Sequence, residues 1–219
     1  MLTSVILGAQ DGIVAVLGVL LGVAAASRSA RLVIAAGFAT AFADAISMAA
    51  VAYTTAVAQG DVYRSERARE YRHIKALPAL ERQEVRELYA RKGFAGDLLD
   101  RIVATITADP DVWVAVMMAE EHGLGPVERS RTLRSALVVG LATLLGAALP
   151  VVPFTVMGLQ AATWSATLVA ASALFAVGVY KARTTQGSVV RAGLEMASIG
   201  LASALASWAI GSCFGGAGY

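Results

Sequence analysis

Residues 32–57 read LVIAAGFATAFADAISMAAVAYTTAV, and residues 61–73 read DVYRSERAREYRH. The first stretch is apolar apart from Asp44, and it exceeds the ~20 residues that a helix needs to cross the hydrocarbon core of a bilayer. The second stretch mixes basic and acidic residues in a helical pattern. The junction therefore predicts a membrane helix that continues out of the bilayer into a charged, helical region.

The charged residues of the chain are concentrated in its middle. Of the 18 Lys and Arg, 13 lie in residues 64–134, and of the 16 Asp and Glu, 13 lie in residues 61–128. With 57% hydrophobic residues overall, the remainder is too apolar for water, so lipid is its expected solvent. The candidate spans are residues 5–26, 32–57, 134–153, 161–181 and 193–213. We therefore expect an all-α membrane protein with five transmembrane helices and a cytosolic helical insert between helices 2 and 3.

The distribution of basic residues predicts the orientation in the membrane. A cytosolic N-terminus places 16 of the 18 Lys and Arg on the cytosolic side and leaves only Arg28 and Arg31 opposite, with the C-terminus outside. The first apolar run has no basic residue before it, so we expect a retained span rather than a cleaved signal. No organelle signal is visible and the termini are short, which favours a prokaryotic plasma membrane.

Composition also excludes some kinds of site. The net charge is +2, with both signs mixed and no basic stripe, which argues against nucleic-acid binding. The single cysteine, Cys213, excludes a disulfide within one chain and a cysteine-based metal site. Gly18 and Gly22 form a Gly-xxx-Gly pair in the first span, a spacing that lets helix backbones approach closely.

The change from apolar to charged sequence and back divides the chain into three regions, namely helices 1–2 (residues 1–59), the insert (60–132) and helices 3–5 (133–219). Within the insert, the first helix should continue to His73, and the second should begin at Pro78 and stop at Gly93. A third should run over residues 97–107. Asp109 and Pro110 are a good N-cap and first-turn pair for a fourth helix, which Gly123 should end. Pro150 and Pro153 should end the third span.

Polar residues in the insert recur at helical spacing and form three sets. Like charges three or four residues apart destabilise a helix slightly, and a cation between them is one reason to keep them. Carboxylates and an imidazole suit Mn²⁺ and Fe²⁺, whereas a thioether favours softer ions. The alternative is a solvated helix face that pairs with neighbouring Arg residues. The candidate metal ligands are Glu66, Glu70 and His73, then Glu81, Glu84 and Glu87, and finally Met117, Met118, Glu120 and Glu121.

Two acidic residues fall inside apolar spans, Asp11 in the first and Asp44 near the centre of the second. A charge at mid-bilayer costs about 2.5–3.5 kcal/mol on insertion scales, so such residues are candidates for function. Met48 lies one turn after Asp44 and could form a waypoint for a divalent metal with it. Glu195 near the cytosolic end of the fifth span could line the entrance. The alternatives are interfacial roles for Asp11 and Glu195 and a protonated, hydrogen-bonded Asp44.

Four motifs together are similar to those of one transporter family, and they occur in the family's order. They are GAQDGIV (residues 8–14), DAISMAA (44–50), WVAVMMAEEHGL (113–124) and ALPVVPF (148–154). The chain thereby resembles the vacuolar iron transporter family from the first span past the third. The last two spans match in length and character only.

The resemblance implies a transporter rather than an enzyme. Members of this family are five-span homodimers that move Fe²⁺, and in many cases Mn²⁺, out of the cytosol in exchange for protons, so the ions are cargo and no cofactor is expected. The transport path lies at the dimer interface, and the insert feeds metal to it. Asp11 matches the family's pore aspartate and Met48 its pore methionine. The insert residues that match family ligands are Glu70, Glu81, Glu84, Met117 and Glu121.

Two positions depart from the family pattern. Ala52 replaces an expected pore glutamate, and Asp44 is placed one turn before Met48 to supply the missing carboxylate. His73 replaces an expected glutamate three residues after Glu70, and imidazole also ligates Fe²⁺ and Mn²⁺. Two other functions fit the residues alone. One is a membrane-anchored iron-storage or ferroxidase-like protein, and the other is a membrane scaffold without metal.

Overall fold

The computed structural model of the protein describes residues 2–127, 129–185 and 187–215. Over these ranges the secondary structure consists of helices and short connections, which confirms the all-α prediction. The helices are α1 (Leu2–Ala26), α2 (Ala30–Ala76), α3 (Pro78–Arg91), α4 (Gly96–Ile106), α5 (Pro110–Glu120), α6 (Arg129–Val156), α7 (Leu159–Thr185) and α8 (Val189–Gly215).

Five of these helices, α1, α2, α6, α7 and α8, are long and apolar enough to cross a membrane. A sixth candidate exists only if α4 and α5, which are bent by 112° at their junction, are counted as one broken span. The prediction of five spanning helices is thus confirmed. Helix α2 has 47 residues, which at 1.5 Å per residue is about 70 Å, more than twice the hydrocarbon thickness. Its charged C-terminal part therefore extends beyond the apolar span, as the junction after residue 57 predicts.

The third spanning helix shows that one prediction was wrong. Pro150 and Pro153 do not end the span, because α6 passes through both and ends at Val156. Proline removes a backbone N–H and strains an isolated helix, but membrane helices tolerate it where neighbouring helices hold the segment. Here both prolines are buried, as are Val151 and Phe154 between and after them. Packing of this face against the other helices outweighs the local cost of the two prolines.

The described residues divide into two compact units. The insert unit is Thr54–Thr132, and the membrane unit comprises the described residues on either side of it. In the membrane unit, α1 packs against both α7 and α8, and it also meets α6 through small residues. The buried side chains of this core include Ile13, Val16, Leu17, Leu20, Ala147, Ala166, Ala170 and Leu174.

The Gly-xxx-Gly pair of α1 packs within this chain, against α8. A Cβ added to Gly18 would lie 2.9 Å from Ser207 Oγ, and one added to Gly22 would lie 3.1 Å from the Ser207 carbonyl oxygen. From the other side, a Cβ on Gly211 would lie 2.7 Å from the carbonyl carbon of Gly22 and closer still to its oxygen. Small residues thus allow backbone contact between α1 and α8, as in other membrane helix pairs.

Substitution of Gly211 by alanine is expected to lower the thermal stability of the detergent-purified protein. The new methyl group meets backbone atoms that cannot rotate away, and such overpacking costs typically about 1–3 kcal/mol. Gly60→Ala is the matched control, because Gly60 also lies within a helix and its added Cβ has no atom closer than 3.6 Å. That control should be neutral or gain up to ~1 kcal/mol of helix propensity. Equal melting temperatures for the two variants would contradict the close packing of α1 and α8.

The insert unit has a core of its own, formed by α3, α4 and α5 with the end of α2. Its buried side chains are Val85, Leu99, Val103, Ile106, Trp113 and Met117. Helix α5 begins as predicted, with Pro110 in its first turn and the Asp109 side chain accepting a hydrogen bond of 2.8 Å from the Asp111 backbone N–H. The glycine after each predicted stop, Gly93 and Gly123, has a positive φ and terminates a helix in the left-handed region.

Candidate metal site

Two carboxylates of the insert unit are almost completely buried. Glu70 on α2 and Glu81 on α3 are each 3% exposed. Within the part of the chain that the structure describes, the Oε2 atom of each has no hydrogen-bond partner. Burial of a charged oxygen without a partner costs several kcal/mol in an apolar environment, so buried carboxylates are normally paired or bind a metal. These two oxygens are therefore available as cation ligands.

His73 joins the two carboxylates in a compact cluster. One ligand atom from each of Glu70, His73 and Glu81 can be chosen so that all lie within 4.8 Å of one another. The His73 Nδ1 atom lies 3.3 Å from Glu81 Oε1. Glu70 and His73 share a face because they are three residues apart on α2. Only Leu77 separates α2 from α3, and this tight corner brings the first turn of α3, with Glu81, against that face.

His122 also contacts this cluster, although helical spacing in the sequence did not predict it as a ligand. Its Nε2 atom lies 3.0 Å from Glu70 Oε1. His122 is outside α5, in the turn where the Leu124 backbone N–H donates to the Met118 carbonyl at 2.9 Å. A rule based on helical spacing cannot place a residue beyond the helix end. The available signal was composition, because this chain has only two histidines and this one follows Glu121.

The electrostatics of the insert extend the cluster to Glu84 and Glu121. Burial raises the pKa of Glu81 above its ordinary value, and the carboxylates of Glu84 and Glu70 raise it further. Burial likewise raises the pKa of Glu84, with added repulsion from Glu121 and Glu70. His73 opposes both shifts by favouring the charged carboxylates. Four carboxyl groups thus repel one another across α2, α3 and the end of α5, and a bound cation would relieve this repulsion.

The other predicted ligands lie in different surroundings. Met117 and Met118 are fully buried, and Met117 packs in the core of the insert unit. The remaining three carboxylates have partners away from the cluster. Those pairs are Glu66 with Arg69 at 3.4 Å, Glu87 with Gln83 at 3.0 Å, and Glu120 with Lys92. The structure therefore brings together Glu70, His73 and Glu81, with Glu84 and Glu121 close enough to affect their charge.

In the membrane unit, two acidic residues from different helices meet. The side chains of Asp11 on α1 and Asp44 on α2 are close enough for a hydrogen bond between the carboxyl groups. Among the described residues, the buried Oδ2 atom of Asp44 has no hydrogen-bond partner. Gly12 helps to position Asp11, because an added Cβ there would collide with the backbone of Thr143 on α6.

The other predicted transport-path residues lie on the same helix as Asp44 or on α8. Met48 and Ala52 follow Asp44 at successive turns of α2, and both are half-buried. Glu195 lies in the N-terminal part of α8 and is exposed at the surface of the membrane unit. The structure thus brings Asp11 and Asp44 together and aligns Met48 with them, while Glu195 lies on a surface.

Comparison with known proteins assigns the chain to a family. The VIT family model matches residues 2–212, from the first membrane helix through most of the last. The chain belongs to the VIT family. This VIT family member is 30% identical to Vacuolar iron transporter 1 of Arabidopsis thaliana over 207 aligned residues. The aligned region covers 94% of this chain and 83% of the relative. The family resemblance predicted from the motifs is confirmed.

Two further relatives extend the comparison. Vacuolar iron transporter 1 of Oryza sativa subsp. japonica is 32% identical over 204 residues, which covers 92% of this chain and 81% of the relative. Protein CCC1 of Saccharomyces cerevisiae is 27% identical over 216 residues, which covers 94% of this chain and 67% of that protein. Because the matches cover more than nine tenths of this VIT family chain, they include both the membrane helices and the insert. The chain is a multi-pass membrane protein of this family.

Proposed function

We propose that this protein exports Fe²⁺, and also Mn²⁺, from the cytosol in exchange for protons. The contact between Asp11 and Asp44 is the observation that carries the proposal. A hydrogen bond between two carboxyl groups requires a proton on one of them. A divalent cation bound between the two groups would displace that proton, which couples movement of the metal to movement of protons. Ala52 occupies the position of the family's pore glutamate and has no carboxylate. In this proposal the Asp44 carboxylate takes over that role.

The insert unit supports the choice of cargo. Its buried carboxylates and imidazole form a site of oxygen and nitrogen ligands, which suits Fe²⁺ and Mn²⁺. Relatives that match most of the chain are named vacuolar iron transporters, which supports iron in particular. In the proposed mechanism the insert collects the ion in the cytosol, and Asp11, Asp44 and Met48 pass it through the bundle of a homodimer, with Glu195 at the entrance.

The position in the cell is proposed in part from the distribution of charge. Basic residues favour a cytosolic N-terminus, a cytosolic insert and an external C-terminus. The names of the relatives refer to the vacuole, so they lend no support to the expected prokaryotic plasma membrane.

The purified protein in proteoliposomes provides the test. We expect Fe²⁺ and Mn²⁺ to enter vesicles with an acidic lumen faster than vesicles without a pH gradient, and we expect metal entry to raise the lumenal pH. Vesicles without protein are the control. Tight metal binding without flux would instead favour a storage or ferroxidase-like protein. Absence of both binding and flux would favour a scaffold.

A further inference from the structure

We infer that His122 is a metal ligand of the insert site, so that the site offers two imidazoles together with two buried carboxylates. The inference rests on the proposed metal-binding role of the insert. The His122 Nε2 atom lies 3.0 Å from Glu70 Oε1, and the second oxygen of that carboxylate has no hydrogen-bond partner among the described residues. Glu70 also belongs to the compact cluster with His73 and Glu81. Glu70 is therefore the residue that connects the His122 imidazole to the rest of the candidate site.

The backbone fixes the position of His122. Its N–H donates to the Met117 carbonyl at 3.3 Å, and the Leu124 N–H donates to the Met118 carbonyl at 2.9 Å. Gly123 has a φ of +63° and closes the turn in a conformation that residues with a Cβ rarely adopt. The imidazole is thus held by a defined helix end and is partly buried, with 24% of its side chain exposed. Such preorganisation is typical of ligand residues rather than of mobile surface side chains.

A hydrogen bond alone does not account for the arrangement. His122 forms a hydrogen bond with one oxygen of Glu70, and the His73 Nδ1 atom lies 3.3 Å from one oxygen of Glu81 as an ion-pair contact. The remaining oxygens, Glu70 Oε2 and Glu81 Oε2, are both buried and without a hydrogen-bond partner in the described part of the chain. A divalent cation bound by Glu70, His73 and Glu81 would satisfy both carboxylates at once, and His122 would join it by turning its ring from Glu70 Oε1 toward the ion. The ligand set is then two oxygens and two nitrogens.

The second nitrogen has a consequence for selectivity. Imidazole favours borderline divalent ions over hard ones, and affinity rises from Mn²⁺ through Fe²⁺ to Co²⁺ and Ni²⁺ at a given site. Replacement of oxygen ligands by imidazole strengthens this trend and weakens binding of Mg²⁺ and Ca²⁺. We therefore expect the site to prefer Fe²⁺ to Mn²⁺ and to exclude Ca²⁺, and His122→Gln should reduce Fe²⁺ affinity more than Mn²⁺ affinity.

Pulsed electron paramagnetic resonance of Mn²⁺ bound to the full-length protein tests the assignment, because it detects nitrogen nuclei of coordinated imidazole. The chain has only two histidines, so a protein purified without a histidine tag has only two possible imidazole sources. We expect the wild type to show nitrogen modulation from two imidazoles. The His73→Gln variant should keep the modulation from His122, and the double variant His73→Gln/His122→Gln should lose it entirely.

The outcomes separate this inference from the proposed function. Bound Mn²⁺ without nitrogen modulation in His73→Gln would make His122 a positioning residue and overturn the inference, while the metal site itself would stand. If the His73→Gln variant binds no Mn²⁺, the test is the comparison of the His122→Gln variant with the wild type. If the His122→Gln variant still shows nitrogen modulation from two imidazoles, the inference is overturned. Absence of bound Mn²⁺ in the wild type would overturn both the inference and the role of the insert in the proposed function.

Discussion

Replacement of Asp44 by asparagine is expected to reduce Fe²⁺ flux about a hundredfold or more while the protein remains folded. Asparagine has the same size as aspartate, but it has no charge and holds no exchangeable carboxyl proton. Removal of one partner from a buried charged interaction costs about 3–5 kcal/mol, and 1.4 kcal/mol corresponds to a factor of ten. The cation would lose a carboxylate ligand inside the membrane unit, where few other charges are available to stabilise it. Asp11→Asn should have the same effect, because the two carboxyl groups act as a pair.

Flux into proteoliposomes at a fixed pH gradient measures this effect. Asp109→Asn is a matched control, because it makes the same chemical change in the insert unit at an N-cap where asparagine and aspartate are equally favourable. Its flux should equal that of the wild type. A single symmetrical peak on size exclusion would show that each variant is folded. Wild-type flux in both Asp11→Asn and Asp44→Asn would remove these residues from the transport path and leave the metal site of the insert unaffected.

The membrane-spanning helices were predictable because the thickness of the bilayer sets the minimum length of each apolar run. A helix that crosses hydrocarbon needs ~20 apolar residues, and the interruptions between such runs are visible as charged or turn-forming residues. The start of α5 was also predictable from neighbouring residues alone. The Asp109 side chain caps the helix and Pro110 occupies its first turn, so both act on the adjacent backbone. The same local reasoning failed at Pro150 and Pro153, because the packing of α6 is a tertiary effect that outweighs the helix-breaking tendency of proline.

The candidate metal site was predictable only in part. Helical spacing correctly placed Glu70 and His73 on one face of α2, but it placed Glu66 there too. Which of these residues meets α3 depends on where α2 ends, and Glu66 lies one turn too early and pairs with Arg69 instead. His122 was missed for a different reason. It follows the end of α5, where the backbone leaves the helical period and the direction of a side chain is set by the turn.

Glu81→Gln is expected to have opposite effects on the stability of the protein with and without metal. Without metal, the charged Glu81 carboxylate is buried and repelled by Glu84 and Glu70, which is why its pKa is raised. Glutamine keeps the shape and removes the charge, so the metal-free variant should melt a few degrees above the wild type at neutral pH. With Mn²⁺ or Fe²⁺ present, the wild type should gain stability, about 2.7 kcal/mol at a hundredfold excess over Kd. The variant should lose most of that gain because it lacks a charged ligand.

The pH dependence gives the same prediction an independent check. Since the folded protein holds the Glu81 proton more tightly than the unfolded chain does, the contribution of Glu81 to stability is fully present below its unfolded pKa and is lost as the pH rises through its raised, folded pKa. The metal-free wild type should therefore lose stability between mildly acidic and neutral pH, and Glu84 adds to the effect in the same direction. Metal binding should strengthen over the same range, because the ion competes with these protons. Glu81→Gln should flatten both profiles.

Glu87→Gln is the matched control for these measurements. Glu87 lies on the same helix, α3, but it is exposed and its partner is Gln83. Its substitution should leave the metal-free melting temperature, the metal-induced rise and the pH profile nearly unchanged. If Glu81→Gln and Glu87→Gln behave alike, the buried cluster does not bind the metal. If only the metal-free stability differs, Glu81 is a buried acid that destabilises the insert unit without contributing to metal capture, and the ligands must be sought among the other carboxylates.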